Sequence, residues 1–253
     1  MAVLYSIRYS PWSLLARWAL AYHDTPYKAS EYLTLITEWK LRFILRDFFG
    51  RISAPLLIDD RGNALRDSLE ISRWSGKQKG PNCQGDLFAD FDSETIELWN
   101  LRSAQVLNYG RNQNFKKLVT NDEAIMLMLP KHMRSLGSLG VMIGRFMVKR
   151  VQKKYIAEPG GEDLANAKSI LTLLREALAK NGDYIMGSFS YADVVMAISL
   201  QVIMPSTAVF PMKTALMEAI TVTSLKEEFA DLGQWRDKIV ERHYFDVMTG
   251  KCK

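Results

Sequence analysis

The sequence predicts an α/β domain at the N-terminus followed by an all-α domain. The 253 residues are enough for two ordinary domains. Strand-like and helix-like segments alternate at the start of the chain in the order βαβ and then ββα, whereas the later apolar patterns have helical spacing. Between them, residues 75–85 are rich in glycine and polar residues, which is typical of a linker. We place the domains at 1–76 and 86–253, joined by a linker at 77–85.

The first strand, 2–7, runs directly into a helix that begins at Ser10. Serine is a good N-cap, and Pro11 follows at the first helical position, where its missing N–H costs nothing. A helix N-terminus favours an anion, and a thiolate is one such anion. Ser10 either only caps the helix or also donates its proton to a bound thiolate, and the two roles are compatible.

A second strand, 27–32, completes a βαβ unit, so we expect it to lie parallel to the first. Residues 33–49 predict a short irregular helix. Its Lys40 and Arg42 are candidates for meeting the carboxylate of a small ligand, although such residues are more often simply solvated.

An apolar strand at 53–58, entered through Pro55, turns back into a short strand at 64–66. Asp67 and Ser68 then open another helix. Its first turn could hold a ligand carboxylate on backbone N–H groups and the Ser68 hydroxyl, while Asp67 meets an ammonium group. Asp-Ser is also an ordinary cap, so the pair alone is a weak signal.

Beyond the linker we expect helices. Residues 194–212 carry no charge, but Pro205 and Pro211 interrupt them, so a buried core helix is favoured over a membrane span. Ser190 and Asp193 form a capping-box pattern that opens this helix, and Phe189 is placed to act as a hydrophobic staple. Further helices are predicted at 86–109, 130–155, 164–178, 214–221 and 225–244.

The segment 130–155 combines basic residues with several methionines. As a basic amphipathic helix it could touch a membrane or an acidic partner. We favour the alternative, a solvated basic face with methionines that fill gaps in the core.

Composition and charge exclude several classes of protein. A net charge of +5 is mildly basic, but no motif for binding nucleic acid accompanies it. Cys83 and Cys252 have no metal or redox spacing, so we expect no metal and a reducing, cytoplasmic compartment. The N-terminus lacks the pattern of a secretory signal.

Four motifs in this order resemble the soluble glutathione transferase family over the whole chain. They are Ser10-Pro11-Trp12-Ser13, Ala54-Pro55, Asp67-Ser68 and Ser190-Tyr191-Ala192-Asp193. The resemblance implies a thioredoxin-like first domain that binds glutathione, with cis-Pro55, and a helical domain that forms the site for a hydrophobic co-substrate. It also implies a homodimer and a detoxifying conjugation reaction.

The resemblance also implies roles for individual residues. Ser10 would donate a hydrogen bond to the glutathione sulfur, with Ser13 and then Tyr5 as the next candidates. Serine at both 10 and 13 leaves no dithiol chemistry, and neither Tyr5 nor Tyr9 is set at the helix tip. A non-catalytic binding protein on the same fold, acting as a ligand carrier or partner-associated protein, is the alternative. The implied glutathione-binding residues are Ser10, Trp12, Lys40, Ala54, Pro55, Asp67 and Ser68.

Overall fold

A computed structural model of the chain describes residues 1–32, 36–50, 52–129, 131–155 and 163–243. Contacts divide it into two compact units. Of the described residues, unit 1 contains those of Met1–Ile96 and Phe189–Val194 and His243, and unit 2 contains those of Glu97–Ser188 and Val195–Arg242. The predicted limits at 33, 130 and 244, and Cys252, lie outside the described residues.

Unit 1 is built on a four-stranded mixed sheet in the order β2-β1-β3-β4. Strands β1 and β2 are parallel, and β1–β3 and β3–β4 are antiparallel, as the βαβ and ββα patterns predict. The strands are β1 (Ala2–Ser6), β2 (Tyr27–Glu31), β3 (Leu56–Ile58) and β4 (Ala64–Leu65).

Helices α1 (Pro11–Tyr22), α2 (Ile36–Leu45) and α3 (Ser68–Lys77) cover the sheet. Successive strand residues face opposite sides, so the sheet contributes to two apolar clusters. Leu4 and Leu57 pack in one cluster with residues of α1 and α3, and Tyr5 and Leu56 pack in the other with Leu41 of α2. Burial on both faces fixes the register of the two central strands, β1 and β3.

The first unit extends beyond the predicted domain limit at residue 76. Helix α3 continues through Lys77, so residues 75–77 are helical rather than part of a linker. The polar side chain of Ser75 is satisfied inside the fold, because its Oγ donates to the Ser72 carbonyl at 2.7 Å and lies 2.7 Å from His23 Nδ1. Composition alone does not distinguish a serine that is buried in a helix from a serine in a linker.

The rest of the chain is mostly helical, as predicted. The segment predicted as one helix from 130 is interrupted after Arg134, with Gly137 in the left-handed region at φ +55°. The uncharged core helix ends at Ile203, before Pro205, and the last helical segment consists of two helices, Thr223–Glu228 and Ala230–His243, which are broken at Phe229. Within the described ranges, no helix is long and apolar enough to cross a membrane. The helices are α4 (Ser93–Val119), α5 (Asp122–Met128), α6 (Lys131–Arg134), α7 (Ser138–Tyr155), α8 (Leu164–Asn181), α9 (Tyr191–Ile203), α10 (Thr214–Ile220), α11 (Thr223–Glu228) and α12 (Ala230–His243).

Candidate functional site

Three of the predicted motifs, at Ser10, Ala54–Pro55 and Asp67, lie where strands of the sheet begin or end, in a region that we call the shared edge. Tyr5 of β1 pairs with Leu56 of β3, and Leu57 of β3 pairs with Leu65 of β4. Because antiparallel neighbours run in opposite directions, the end of β1, the start of β3 and the end of β4 meet at this edge. The loop to Ser10, the Ala54–Pro55 bond and the start of α3 therefore share one end of unit 1.

Ser10 occupies the N-cap position of α1 with an extended backbone, φ −73° and ψ 126°. Its carbonyl accepts the Leu14 N–H at 2.9 Å, which closes the first turn of the helix. Its side chain makes no capping hydrogen bond, and its hydroxyl has no partner among the described residues. Ser10 is half-buried. A hydroxyl that the fold leaves unused at a helix N-terminus is suited to donate to an anionic ligand.

Ser13, the second candidate, has a different environment. It is fully buried, and its Oγ accepts the N–H of Ile7 at 3.1 Å. This bond ties the end of β1 to the first turn of α1. The placement favours Ser10 over Ser13 as the group that meets a ligand.

Arg17 holds the loop that leads to Ser10, a role that the sequence analysis missed. Arg17 is 7% exposed, and its guanidinium donates to the carbonyls of Arg8 at 2.7 Å, Ser13 at 3.3 Å and Ile7 at 3.4 Å. Three accepting carbonyls satisfy a charge that would otherwise be costly to bury. An arginine within the apolar run of α1 is the signal that could have found it.

The Ala54–Pro55 peptide bond is cis, as the resemblance implied. Pro55 is buried and Ala54 is half-buried. Continuing the pairing of β3 to the residue before Leu56 places Pro55 between the end of β1 and the residues that follow β4. The backbone of Ala54 therefore lies at the shared edge.

Asp67 is the N-cap of α3. Its Oδ1 accepts the N–H groups of Leu69 at 2.7 Å and Glu70 at 3.4 Å, while its Oδ2 makes no hydrogen bond to the described residues. The side chain is exposed. One carboxylate oxygen thus stabilises the helix, and the other remains available for a cation.

Ser68 is 4% exposed, so its side chain faces the interior. The phenol of Tyr191, itself fully buried, lies beside Ser68 and Ser72, and burial raises the pKa of Tyr191 so that it stays neutral. Tyr191 also donates its N–H to the Leu87 carbonyl at 2.9 Å. The segment 189–194 thus supports the start of α3, a role that the sequence analysis missed because nothing local to Tyr191 indicates it.

The capping box at the start of α9 is confirmed. Asp193 is fully buried, and its Oδ2 accepts both the N–H and the hydroxyl of Ser190 at 2.9 Å. Phe189 stacks on His243 at 3.8 Å and contacts Tyr22 at 5.2 Å between ring centroids. These contacts anchor the helix start in unit 1.

The remaining candidate residues differ in exposure and in whether their side chains already have partners. Lys40 is exposed on α2, Trp12 is half-buried, and Tyr5 is 6% exposed within the sheet. Arg42 binds Glu38 at 2.8 Å and the carbonyls of the following loop, so it is already engaged. Among the described residues, no group of three or more potential metal ligands occurs.

Comparison with known proteins relates this arrangement to a family. Residues 9–78 match the sequence model described as "Glutathione S-transferase, N-terminal domain". None of the curated proteins matches the chain.

Solved structures of glutathione S-transferases share the fold. That of Methylobacillus flagellatus, with glutathione bound, is 15% identical, covers 100% of both chains and has a TM-score of 0.57. That of Ceriporiopsis subvermispora, in complex with glutathione, is 16% identical and covers 96% of this chain and 97% of its own, with a TM-score of 0.61. That of a possible glutathione S-transferase of Rhodopseudomonas palustris is 18% identical and covers 95% of this chain and 94% of its own, with a TM-score of 0.58. The chain therefore has the glutathione S-transferase fold: a thioredoxin-like α/β domain followed by a mostly helical region.

Proposed function

We propose that this protein is a glutathione transferase that activates the thiol of glutathione for attack on a hydrophobic electrophile. The observation that carries the proposal is the unused, half-buried hydroxyl of Ser10 at the N-terminus of α1. It lies at the sheet edge that also holds the cis Ala54–Pro55 bond and the start of α3. The match of residues 9–78 to the N-terminal domain of the family supports the same conclusion.

Glutathione has chemical groups that suit each part of this edge. Its γ-glutamyl end carries an ammonium group, which would meet the free Oδ2 of Asp67, and a carboxylate, which would bind at the N-terminus of α3 beside Ser68. Its cysteinyl part would pair with the backbone of Ala54, beside Pro55. Trp12 borders the position of the thiol, and Lys40 would reach the opposite end of the peptide.

The chemical task is to ionise a thiol whose pKa in water is about 8.5. A hydrogen bond from Ser10 and the partial positive charge of the helix N-terminus both favour the thiolate. Each unit by which the pKa falls corresponds to about 1.4 kcal/mol. The thiol releases its proton to solvent. The sulfur electron pair then forms a bond to an electrophilic carbon, and the leaving group departs with the electrons of the broken bond.

The test separates binding of glutathione from activation of its thiol. Calorimetry measures affinity for reduced glutathione, and the ultraviolet absorbance of the bound thiolate against pH measures the thiol pKa. We expect Ser10→Ala to retain binding while the thiol pKa rises by about one unit, toward the value in water. Asp67→Asn keeps an acceptor at the cap of α3 but removes the charge, so affinity should fall about tenfold with the thiol pKa unchanged.

A matched control is available in the same unit. Asp92 caps α4 by accepting the Thr95 N–H at 2.8 Å, so Asp92→Asn repeats the Asp67 change at another helix start. Asp92→Asn should alter neither the affinity for glutathione nor the pKa of its bound thiol. Absence of glutathione binding by the wild-type protein would refute the proposal. Binding with an unshifted thiol pKa and no turnover would instead indicate the non-catalytic carrier.

A further inference from the structure

Helix α7 presents a mixed apolar and basic face to solvent. Leu139, Met142, Phe146, Lys149 and Lys153 recur three and four residues apart, so they lie along one side of the helix, which we call the α7 stripe. The first three side chains are 49%, 60% and 63% exposed. The stripe is therefore apolar over its first turns and cationic over its last ones.

The opposite side of α7 packs against α5, which fixes the orientation of the stripe. Gly140, Val141 and Gly144 are buried. A Cβ added at Gly144 would lie 2.6 Å from Ile125 Cγ2 and 3.1 Å from Leu129 Cδ2, so the helices α5 and α7 approach closely there. The exposed methionines are therefore not gap fillers in the core, and our expectation from the sequence is wrong for Met142.

The stretch of sequence that contains the stripe carries charge of one sign. Residues 124–157 contain seven lysines and arginines and no acidic residue. Arg134 and Arg145 are engaged by main-chain carbonyls and by Asp122, respectively. Lys149 and Lys153, with their exposed neighbour Arg150, make no ion pair or hydrogen bond with the described residues. A cationic, partly apolar surface thus lacks a partner within the part of the chain that the structure describes.

We propose that the α7 stripe docks on an anionic lipid surface. In this arrangement Leu139, Met142 and Phe146 enter the boundary between headgroups and acyl chains, and the basic end of α7 lies on the lipid phosphates. Lysine stems can lie along apolar surface while their ammonium groups reach the phosphates. Attraction to an anionic leaflet adds to the burial of the apolar side chains.

Charge argues against a second copy of this chain, or another protein, as the partner of the α7 stripe. In a symmetric contact between two copies of this chain, each stripe would meet the same uncompensated cations, which repel one another. Protein–protein interfaces are depleted in lysine relative to the rest of the surface, whereas basic amphipathic helices with exposed Phe and Leu are typical of lipid interfaces. The bilayer also accepts protruding apolar side chains without a matching pocket.

Vesicle flotation tests the proposal with the full chain. We expect the wild-type protein to float with vesicles that contain phosphatidylglycerol in phosphatidylcholine, to remain unbound with phosphatidylcholine alone, and to bind less as salt is raised. Met142→Gln with Phe146→Gln should lower the partition coefficient by about tenfold. Neutralising Lys149, Arg150 and Lys153 to Gln should lower it by about a hundredfold.

Matched variants in the same unit control for general charge and hydrophobicity. Changing the exposed Lys180, Lys213 and Lys226 to Gln removes the same net charge as the triple change on α7. Changing Leu98 and Leu101, two exposed leucines on α4, to Gln matches the double change at Met142 and Phe146. Both control variants should bind as wild type does. Circular dichroism confirms that each variant is folded.

Three results would overturn the proposal. They are the absence of binding to anionic vesicles, equal losses in the control variants, and loss of an oligomer in the Met142→Gln, Phe146→Gln protein without any vesicle binding. The last result would identify the stripe as a contact between copies of this chain.

Discussion

Acidification should destabilise this protein through His23, which the fold buries in its neutral form. His23 is fully buried, and its Nε2 accepts the Leu87 N–H at 3.2 Å. The ring proton therefore resides on Nδ1 and is donated to Ser75 Oγ, 2.7 Å away. Protonation of Nε2 would remove the acceptor for Leu87. Burial lowers the pKa of His23 to about 4, with Asp86 opposing the shift and Lys79 adding to it.

The size of this destabilisation follows from the linkage between proton binding at His23 and folding. The unfolded chain has a His23 pKa near 6.5, so between pH 6.5 and 4 it binds more protons than the folded protein does. Stability is then fully present above the unfolded pKa and is lost as the pH falls toward the folded pKa. A difference of about 2.5 units is worth about 3 kcal/mol, of which about 2 kcal/mol is lost between pH 7 and pH 5.

The assay is urea unfolding of the wild type and His23→Gln at pH 5 to 8. Glutamine keeps an acceptor for Leu87 but does not titrate. We expect the free energy of unfolding of the wild type to fall by about 2 kcal/mol more than that of the variant between pH 7 and pH 5. The two curves should run parallel above pH 7.5. Equal slopes between pH 7 and pH 5 would show that His23 is not held neutral, and the reasoning would fail.

Three further changes test the packing and the loop that positions Ser10. Ser13→Ala removes the acceptor of the Ile7 N–H and should lower the free energy of unfolding by about 1–3 kcal/mol in urea titrations, while leaving the bound thiol pKa unchanged. Arg17→Met removes three hydrogen bonds to main-chain carbonyls, of which the Ile7 carbonyl keeps the Ser10 N–H as a donor at 3.2 Å. The change should cost about 2–4 kcal/mol in the same titrations, and calorimetry should show weaker glutathione binding because the loop before Ser10 loosens. Gly144→Ala should shift the urea midpoint downward, at about 1–2 kcal/mol net of its better helix propensity, and an upward shift would contradict the close approach to Ile125.

Much of the fold follows from local pattern. Apolar alternation and helical spacing predicted the βαβ and ββα order, and Ser10, Asp67 and Ser190 each marked a helix start that the structure has. These signals succeed because capping and periodicity depend on residues within a few positions of each other in the chain. Helix limits were less accurate at 86, where α4 begins only at Ser93 after the cap of Asp92.

The candidate site depended on long-range contacts. The sequence ranks Ser10 ahead of Ser13 as the group that meets the thiol, and the structure gives the two hydroxyls different environments: that of Ser10 makes no capping hydrogen bond, and that of Ser13 accepts the Ile7 N–H. Tyr191 lies far along the chain from Ser68, yet its phenol supports the start of α3. No local pattern reports such neighbours, because burial is a property of the packed chain.

By itself, the sequence determined the order of the strands and helices of the N-terminal α/β part, the helix starts at Ser10, Asp67 and Ser190, and the basic character of residues 124–157. Only the tertiary structure decided that Ser13 is fully buried while Ser10 is half-buried, that His23 is neutral, and that Met142 and Phe146 face solvent. The physical reason is the same in each case. Propensity and periodicity act between neighbours in the chain, whereas pKa values, hydrogen-bond partners and exposure are set by whichever distant residues fold against a side chain.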